Sequence, residues 1–335
     1  LQAYGLCKII SQMGHNVKFI NYAPPGSSLR FWEGWGLRSG QIKSRALWRL
    51  RFEIFRRRYL PQTPRCDSID KLKEITDSFD AIVVGSDQVW NLNFFGENQF
   101  RYFLDFVNNP DCRKISYGAC FGDPNQPENL LLKTIPLLKG FHFLSVRNRM
   151  SANLVHSICG ITPQVVLDPS AIYDYKEFLH QSQTQKDYIF AYFLSHKNME
   201  LGVVILQNAI ERLKLPALVL GDYSYSDKRF HLYRSAGPIE WLKAIYNASF
   251  VITNSFHGTI FAVKFKKPFI AWSGQRPQRI EDFLSLCGLE NCLVTEMSSH
   301  SLEHLLIQPI NYDEVHIKLS SEIKNSLEFL RHALS

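Results

Sequence analysis

Val251-Ile252-Thr253-Asn254-Ser255-Phe256-His257-Gly258-Thr259 is the stretch that decides the fold. A short β-branched run ends at Thr253, polar residues follow at a helix N-cap position, and His257 and Gly258 open the helix. A buried strand passing straight into a helix is the repeating unit of a parallel sheet wrapped by helices. The surrounding apolar window, residues 250–272, is broken by Asn254, His257, Lys264, Lys266 and Lys267. It reads as two core strands flanking a helix, because a membrane span needs roughly 18 uninterrupted apolar residues.

The same alternation extends outward along the chain. Strands are expected at 17–22, 81–84, 114–117, 143–146 and 165–167, then at 189–194, 217–220, 250–253 and 268–271. Helices are expected at 1–13, within 43–59, and at 128–138, 151–158, 199–213, 239–247, 258–265, 278–287 and 312–333. A polar stretch rich in Gln and Ser, residues 173–186, is the natural seam. The expected architecture is α/β: two Rossmann-like, doubly wound domains, 1–172 and 187–335, facing a cleft. Leu1 is not an initiator methionine and Leu-Gln-Ala-Tyr-Gly-Leu already reads as helix. A first strand and its turn are therefore expected upstream of it.

Ligands of such sheets bind at the carboxyl ends of the strands. At 254–259, Asn254, Ser255, Gly258 and Thr259 surround a helix start whose free N–H groups suit phosphate or carboxylate. Gly258 would let an anion approach closely, and His257 can pair with it or move a proton. The plainer alternative is a capping turn with a structural histidine. At 83–91, a strand delivers Gly85, Ser86, Asp87 and Gln88, followed by Trp90 and Asn91. Asp and Gln suit sugar hydroxyls and an indole can cover a sugar face; the alternative is an Asx-turn beside a core tryptophan. Arg147 follows the strand 143–146, where its planar fork can clamp an anion. Asp168 stands in a similar place, or merely starts an Asp-Pro turn. Arg276 and Arg279 are further anion candidates.

Several classes are excluded or weakened. No G-x-G-x-x-G, P-loop, H-E-x-x-H or G-x-S-x-G occurs, so dinucleotide, ATP and zinc-hydrolase readings lose their usual support. The seven cysteines form no C-x-x-C pair, which leaves no metal site and fits reduced thiols in a cytoplasmic protein. Net charge is +7. Between residues 30 and 58, nine basic residues against Glu33 and Glu53 account for all of it, with seven aromatics interleaved through 31–59. This basic, aromatic insert suits an anionic membrane or glycan surface, or is an amphipathic helix with a solvated face. No nucleic-acid module accompanies it, so nucleic acid is not an expected partner.

Taken together, these segments resemble the polysaccharide pyruvyl transferase family. The likeness rests on Leu-Gln-Ala-Tyr-Gly-Leu (1–6), Met-Gly-His-Asn-Val (13–17) and Gly-Ser-Asp-Gln-Val-Trp-Asn (85–91). It continues through Ile-Ser-Tyr-Gly-Ala (115–119), Ser-Val-Arg (145–147), Leu-Asp-Pro-Ser (167–170), Thr-Asn-Ser-Phe-His-Gly-Thr (253–259) and Lys-Lys-Pro-Phe (266–269). The resemblance implies a GT-B-like arrangement and transfer of a pyruvyl group from phosphoenolpyruvate, as donor substrate, to a sugar hydroxyl pair. The product is a pyruvate ketal in surface polysaccharide biosynthesis, and no cofactor is implied. His257 matches the family's donor-contacting histidine, and Arg147 its donor-binding arginine. Asp87 joins them as acid–base candidate; Ser86, Gln88, Asn91, Asp168, Asn254, Ser255, Gly258, Thr259 and Arg279 are expected to bind substrate. The acceptor is a sugar or a lipid-linked oligosaccharide, which suits a cytoplasmic protein peripheral to the inner membrane face. Two alternatives stand beside this: a nucleotide-sugar-dependent glycosyltransferase, and a non-catalytic glycan-binding relative.

Overall fold

A computed structural model describes residues 1–24, 42–94, 96–179, 187–194, 199–220, 227–273, 278–295 and 299–335, with only the backbone at 42, 97 and 299–302. In chain order the elements begin α1 (Gln2–Gln12), β1 (Phe19–Tyr22), α2 (Ile42–Tyr59), β2 (Gln62–Cys66), α3 (Ile69–Thr76) and β3 (Ala81–Val84). A 3-10 segment precedes β4 (Arg113–Ala119), α4 (Glu128–Lys139), β5 (Phe143–Val146), α5 (Arg149–Cys159), β6 (Gln164–Val165) and α6 (Pro169–Ile172). Then come β7 (Ile189–Tyr192), α7 (Met199–Leu213), β8 (Ala217–Leu220), β9 (Phe230–Leu232), α8 (Pro238–Asn247) and β10 (Phe250–Thr253). The chain ends with α9 (Phe256–Lys264), β11 (Phe269–Trp272), α10 (Gln278–Cys287), β12 (Leu293–Val294), α11 (Ser299–Ile307) and α12 (Tyr312–Leu334).

Among the described residues every strand pair is parallel. Strands covered by helices on both faces need apolar residues at every position rather than at alternate ones. Hence Phe250-Val-Ile-Thr and Phe269-Ile-Ala-Trp are buried throughout. The strands that the sequence pattern misses are short or polar ones. β9 and β12 are the two edges of a six-stranded sheet of order β12-β11-β10-β7-β8-β9, and β2 ends a two-stranded pair with β1. An edge strand needs less apolar surface and tolerates a proline such as Pro64.

The chain divides into two compact units, the first containing residues 60–173 and the second 174–319. The expected division into 1–172 and 187–335 needs two corrections. Helix α2 belongs to the second unit. There Arg51 pairs with Glu240 at 3.2 Å and donates to the Ser235 carbonyl, while Phe55 and Tyr59 pack on Phe178. The last residues, 320–335, return to the first unit. Phe329 there packs at a tilt against Tyr117, and Arg113 donates to the Leu334 carbonyl.

The first unit carries β1-β2 and a second sheet of order β3-β4-β5-β6. Its core centres on Trp90, which is wholly buried, stacks on Phe103 at 5.2 Å and donates its indole N–H to the Tyr102 carbonyl. Trp90 is thus a core residue and covers no sugar. The second unit has its own core of Ile189, Phe193, Leu206, Ile252, Ile270 and Trp272. None of the seven cysteines is in a disulfide, and among the described residues no helix is long and apolar enough to cross a membrane.

Close packing against Trp272 sets one sharp constraint. A Cβ at Gly202 of α7 would lie 2.4 Å from the indole Cζ2, and that ring is fully buried. Gly202→Ala should therefore destabilise the fold by about 1–3 kcal/mol through overpacking, despite alanine's better helix propensity. A urea unfolding midpoint at or above wild type would show that the indole can yield.

Candidate functional site

In the first unit the site is built where β3, β4 and β5 end. Asp87 follows β3 with φ at 145°, a conformation that L-residues rarely adopt and that persists only when neighbours enforce it. The enforcement is visible. The Cys120 N–H donates to the Asp87 carbonyl at 2.9 Å, and the Asp87 carboxylate accepts from the Gln88 N–H at 2.8 Å. Behind Asp87 lies Arg147, delivered by β5, with its side chain only 2% exposed. Its Nη1 donates to Asp168 Oδ2 at 2.8 Å and to Ser86 Oγ at 3.4 Å. Its Nη2 reaches Asp87 Oδ1 and Cys120 Sγ, each at 3.3 Å. Burial alone would lower the guanidinium's pKa. The Cys120 sulfur, Asp87 and Asp168 together outweigh it, and the pKa stands above the ordinary arginine value.

Asp168 is buried completely. Besides the guanidinium it accepts from Ser86 Oγ at 2.7 Å, and it caps α6 by accepting from the Ser170 N–H and hydroxyl. Of the residues expected to touch substrate here, Ser86, Asn91, Arg147 and Asp168 are buried and bonded to one another or to the loop. The expected anion clamp at Arg147 is corrected on that ground: the fork is already filled by the chain's own carboxylates. Gln88 lies over Gly122, where a Cβ would come within 2.1 Å of its Oε1. Asp87 is different, with half of its side chain exposed.

Three members of this cluster are not singled out individually by the sequence. Cys120 contacts Arg147, Tyr117 donates its hydroxyl to the Leu167 carbonyl, and Gly118 bends β4 with φ at 67°. A Cβ on Gly118 would sit 3.2 Å from that of Ser86. A glycine inside an apolar strand signals such a bend and close approach, so Gly118 could be found; the roles of Cys120 and Tyr117 depend on tertiary contacts.

In the second unit the sheet order places the topological switch point between β7 and β10, where ligands of doubly wound sheets bind. The exits of these two strands are strapped together. Thr253 Oγ1 donates to the Tyr192 carbonyl at 2.7 Å, and the Asn254 amide both accepts from the Leu194 N–H and donates to the Leu194 carbonyl. Ser255 is the N-cap of α9, its Oγ accepting from the Gly258 N–H, while Thr259 donates back to the Ser255 carbonyl. Asn254, Ser255 and Thr259 are buried, so they shape the turn rather than present themselves to a ligand. Gly258 is small for a different reason than expected: a Cβ there would meet Thr253 Oγ1 at 2.3 Å.

His257, the second residue of α9, is half-buried. So is Arg279, the second residue of α10, at the exit of β11, which adjoins β10. Phe256 packs on Phe283 and links the two helices. The start of α9, a helix of nine residues, carries the positive potential of its free N–H groups. Arg276 lies outside the described residues. Among those described, no group of three His, Cys, Asp or Glu side chains could hold a metal ion.

The buried support and the presented group of the first unit's cluster can be separated by stability. Arg147→Ala should cost about 3–5 kcal/mol, because it leaves the buried Asp168 uncompensated. Asp87→Asn should cost about 1 kcal/mol or less, since that carboxylate is half-exposed. Urea denaturation of both variants measures this, and equal costs would refute the division between a buried support and a presented group.

The profile of the polysaccharide pyruvyl transferase family matches residues 1–274. Among curated proteins none matches the chain. The fold is similar to that of a UDP-N-acetylglucosamine 2-epimerase from Rickettsia bellii, with a TM-score of 0.53 and 11% identity, over 98% of this chain and 95% of that one. It is also similar to the S. aureus MnaA–UDP co-structure, with a TM-score of 0.51 and 11% identity, over 95% of this chain and 87% of that one. At such identity these likenesses speak for the fold alone, an α/β fold with parallel sheets of the GT-B-like class. The family profile spans most of the chain and includes the Ser86–Asp87, Arg147 and His257 strand exits, and the chain belongs to the polysaccharide pyruvyl transferase family.

Proposed function

We propose that the protein transfers a pyruvyl group from phosphoenolpyruvate to two hydroxyls of one sugar, forming a pyruvate ketal. The observation that carries this reading is the position of His257 on the first turn of α9, at the switch point of the second unit's sheet. The donor has a phosphate and a carboxylate, and the helix start with His257 and Arg279 suits both. In the first unit one guanidinium stands against two carboxylates, so that cluster is net negative and suits neutral hydroxyls better than an anionic donor.

The residues then divide the chemistry. His257 as imidazolium delivers a proton to the methylene carbon, making C2 electrophilic. Asp87 takes the proton from the first sugar hydroxyl as its oxygen bonds to C2. The C2–O bond to phosphate breaks, and the second hydroxyl bonds to C2 and gives its proton to the departing phosphate, leaving the ketal and inorganic phosphate. The route draws on phosphoenolpyruvate as a substrate and on no resident cofactor. Arg147 acts here as a positioning residue, holding Asp87 and Ser86 in place.

A second reading, a nucleotide-sugar-dependent transferase, is favoured by the likeness to a UDP-N-acetylglucosamine 2-epimerase fold. The same helix start would accept a diphosphate. Calorimetry of the full-length protein with phosphoenolpyruvate and with UDP-N-acetylglucosamine separates the two readings. For the first, His257→Ala should lower phosphate release from phosphoenolpyruvate, assayed with a panel of sugar acceptors, by about 10²–10⁴-fold. Its circular dichroism should match wild type. Near-normal turnover in the folded variant would remove His257 from the mechanism.

A further inference from the structure

Helix α2 has two faces that ask for different surroundings. One is seated in the second unit through Arg51, Phe55 and Tyr59, spaced four residues apart. Roughly a third of a turn away lies a stripe of Leu47, Leu50 and Ile54, at the i, i+3, i+7 spacing of one helix face. These three aliphatic side chains are 40%, 54% and 49% exposed, where a folded chain normally places polar residues. Lys43 and Arg57 fall on the same stripe, and Arg58 borders it; all three are exposed. The helix as a whole carries seven basic residues and one acidic one, Glu53. That carboxylate is held by Arg56 and Arg57 and lowered to about 2, so it stays ionised and offsets a single charge.

From this combination we infer that α2 is a docking surface for an anionic lipid bilayer. Leu47, Leu50 and Ile54 enter the acyl boundary, while Lys43, Arg57 and Arg58 extend their charged ends to the headgroups. Charge decides against a second copy of this chain, since two such helices would bring like charges together on a protein of net charge +7. The aliphatic stripe decides against nucleic acid, whose single strands call for aromatic stacking platforms and whose duplexes call for phosphate contacts. The inference is independent of the proposed reaction, because it rests on α2 alone and is read out by binding.

The test is co-sedimentation of the full-length protein with vesicles of phosphatidylcholine, alone or mixed with phosphatidylglycerol. Binding is expected only to the mixed vesicles, and it should weaken as salt rises and the Debye length shortens. Replacing Leu47, Leu50 and Ile54 together by Ser leaves the charge unchanged and should weaken binding about tenfold or more. Arg57→Glu with Arg58→Glu should weaken it as well, with the aliphatic stripe intact. No sedimentation with mixed vesicles at low salt overturns the inference. So does wild-type binding by the Ser variant, which would leave only nonspecific charge attraction. A dimer in size-exclusion chromatography that the Ser variant converts to monomer would assign the stripe to a second copy and equally overturn it. Preferential, salt-sensitive binding of single-stranded or duplex DNA over mixed vesicles would do the same in favour of nucleic acid.

Discussion

The first unit depends on one buried guanidinium. Taking Arg147 and Asp168 out of water costs several kcal/mol per ion, and only close, fully bonded geometry recovers it. That requirement explains why so many neighbours converge on the pair. Ser86 donates to Asp168, Asp168 caps α6, and Arg147 reaches Asp87 and Cys120. Three strand exits are thereby fixed relative to one another by charge, where apolar packing would have left them room to slide. The unusual backbone at Asp87 follows from the same arrangement. A φ of 145° costs of the order of 1–3 kcal/mol, and the bonds from Cys120 and Arg147 hold it there. The exposed half of the Asp87 carboxylate is what this network presents to solvent.

The second unit solves the same mechanical problem without charge. Thr253 and Asn254 bind the backbone of β7's exit through neutral hydrogen bonds, and Ser255 caps the helix that follows. The choice has an electrostatic consequence. A carboxylate used as a strap beside α9 would cancel the positive end of the helix. A neutral strap leaves the positive potential of that helix end uncancelled. One unit thus ties its strand exits with charge and presents the half-exposed Asp87 carboxylate, while the other ties them with neutral groups.

How far the sequence reveals this differs by level. Core strands are read with their observed bounds, as at 81–84, 143–146, 217–220 and 250–253, because apolar residues fill these runs except at Ser145 and Thr253. Edge strands such as Gln62–Cys66 and Phe230–Leu232 escape, since little burial constrains their composition. The strand exits that carry polar residues are equally legible, but the duties of those residues are not. Whether Arg147 clamps a ligand or an internal carboxylate depends on Asp168, twenty-one positions away, and on the fold that joins them. Gly258 shows the same limit: its smallness is legible, whereas the neighbour demanding it is Thr253 rather than an anion.

The same division bears on how a motif should be interpreted. In Gly85-Ser86-Asp87-Gln88 and Asn254-Ser255-Phe256-His257-Gly258, most polar atoms are consumed in building the turn. Few remain for a substrate, and this is the expected cost of precision. A presented group works only if it is held within a fraction of an ångström by partners whose own positions are locked. Asp87 has Arg147 and Cys120 for this purpose; His257 has the capped helix and the Thr253–Asn254 strap. Substituting a buried partner therefore changes the placement of the exposed group along with stability, and loss of activity alone does not distinguish the two. Measurements on Ser86, Asp168 or Asn254 variants need a structural readout beside the kinetic one before any of them is called catalytic.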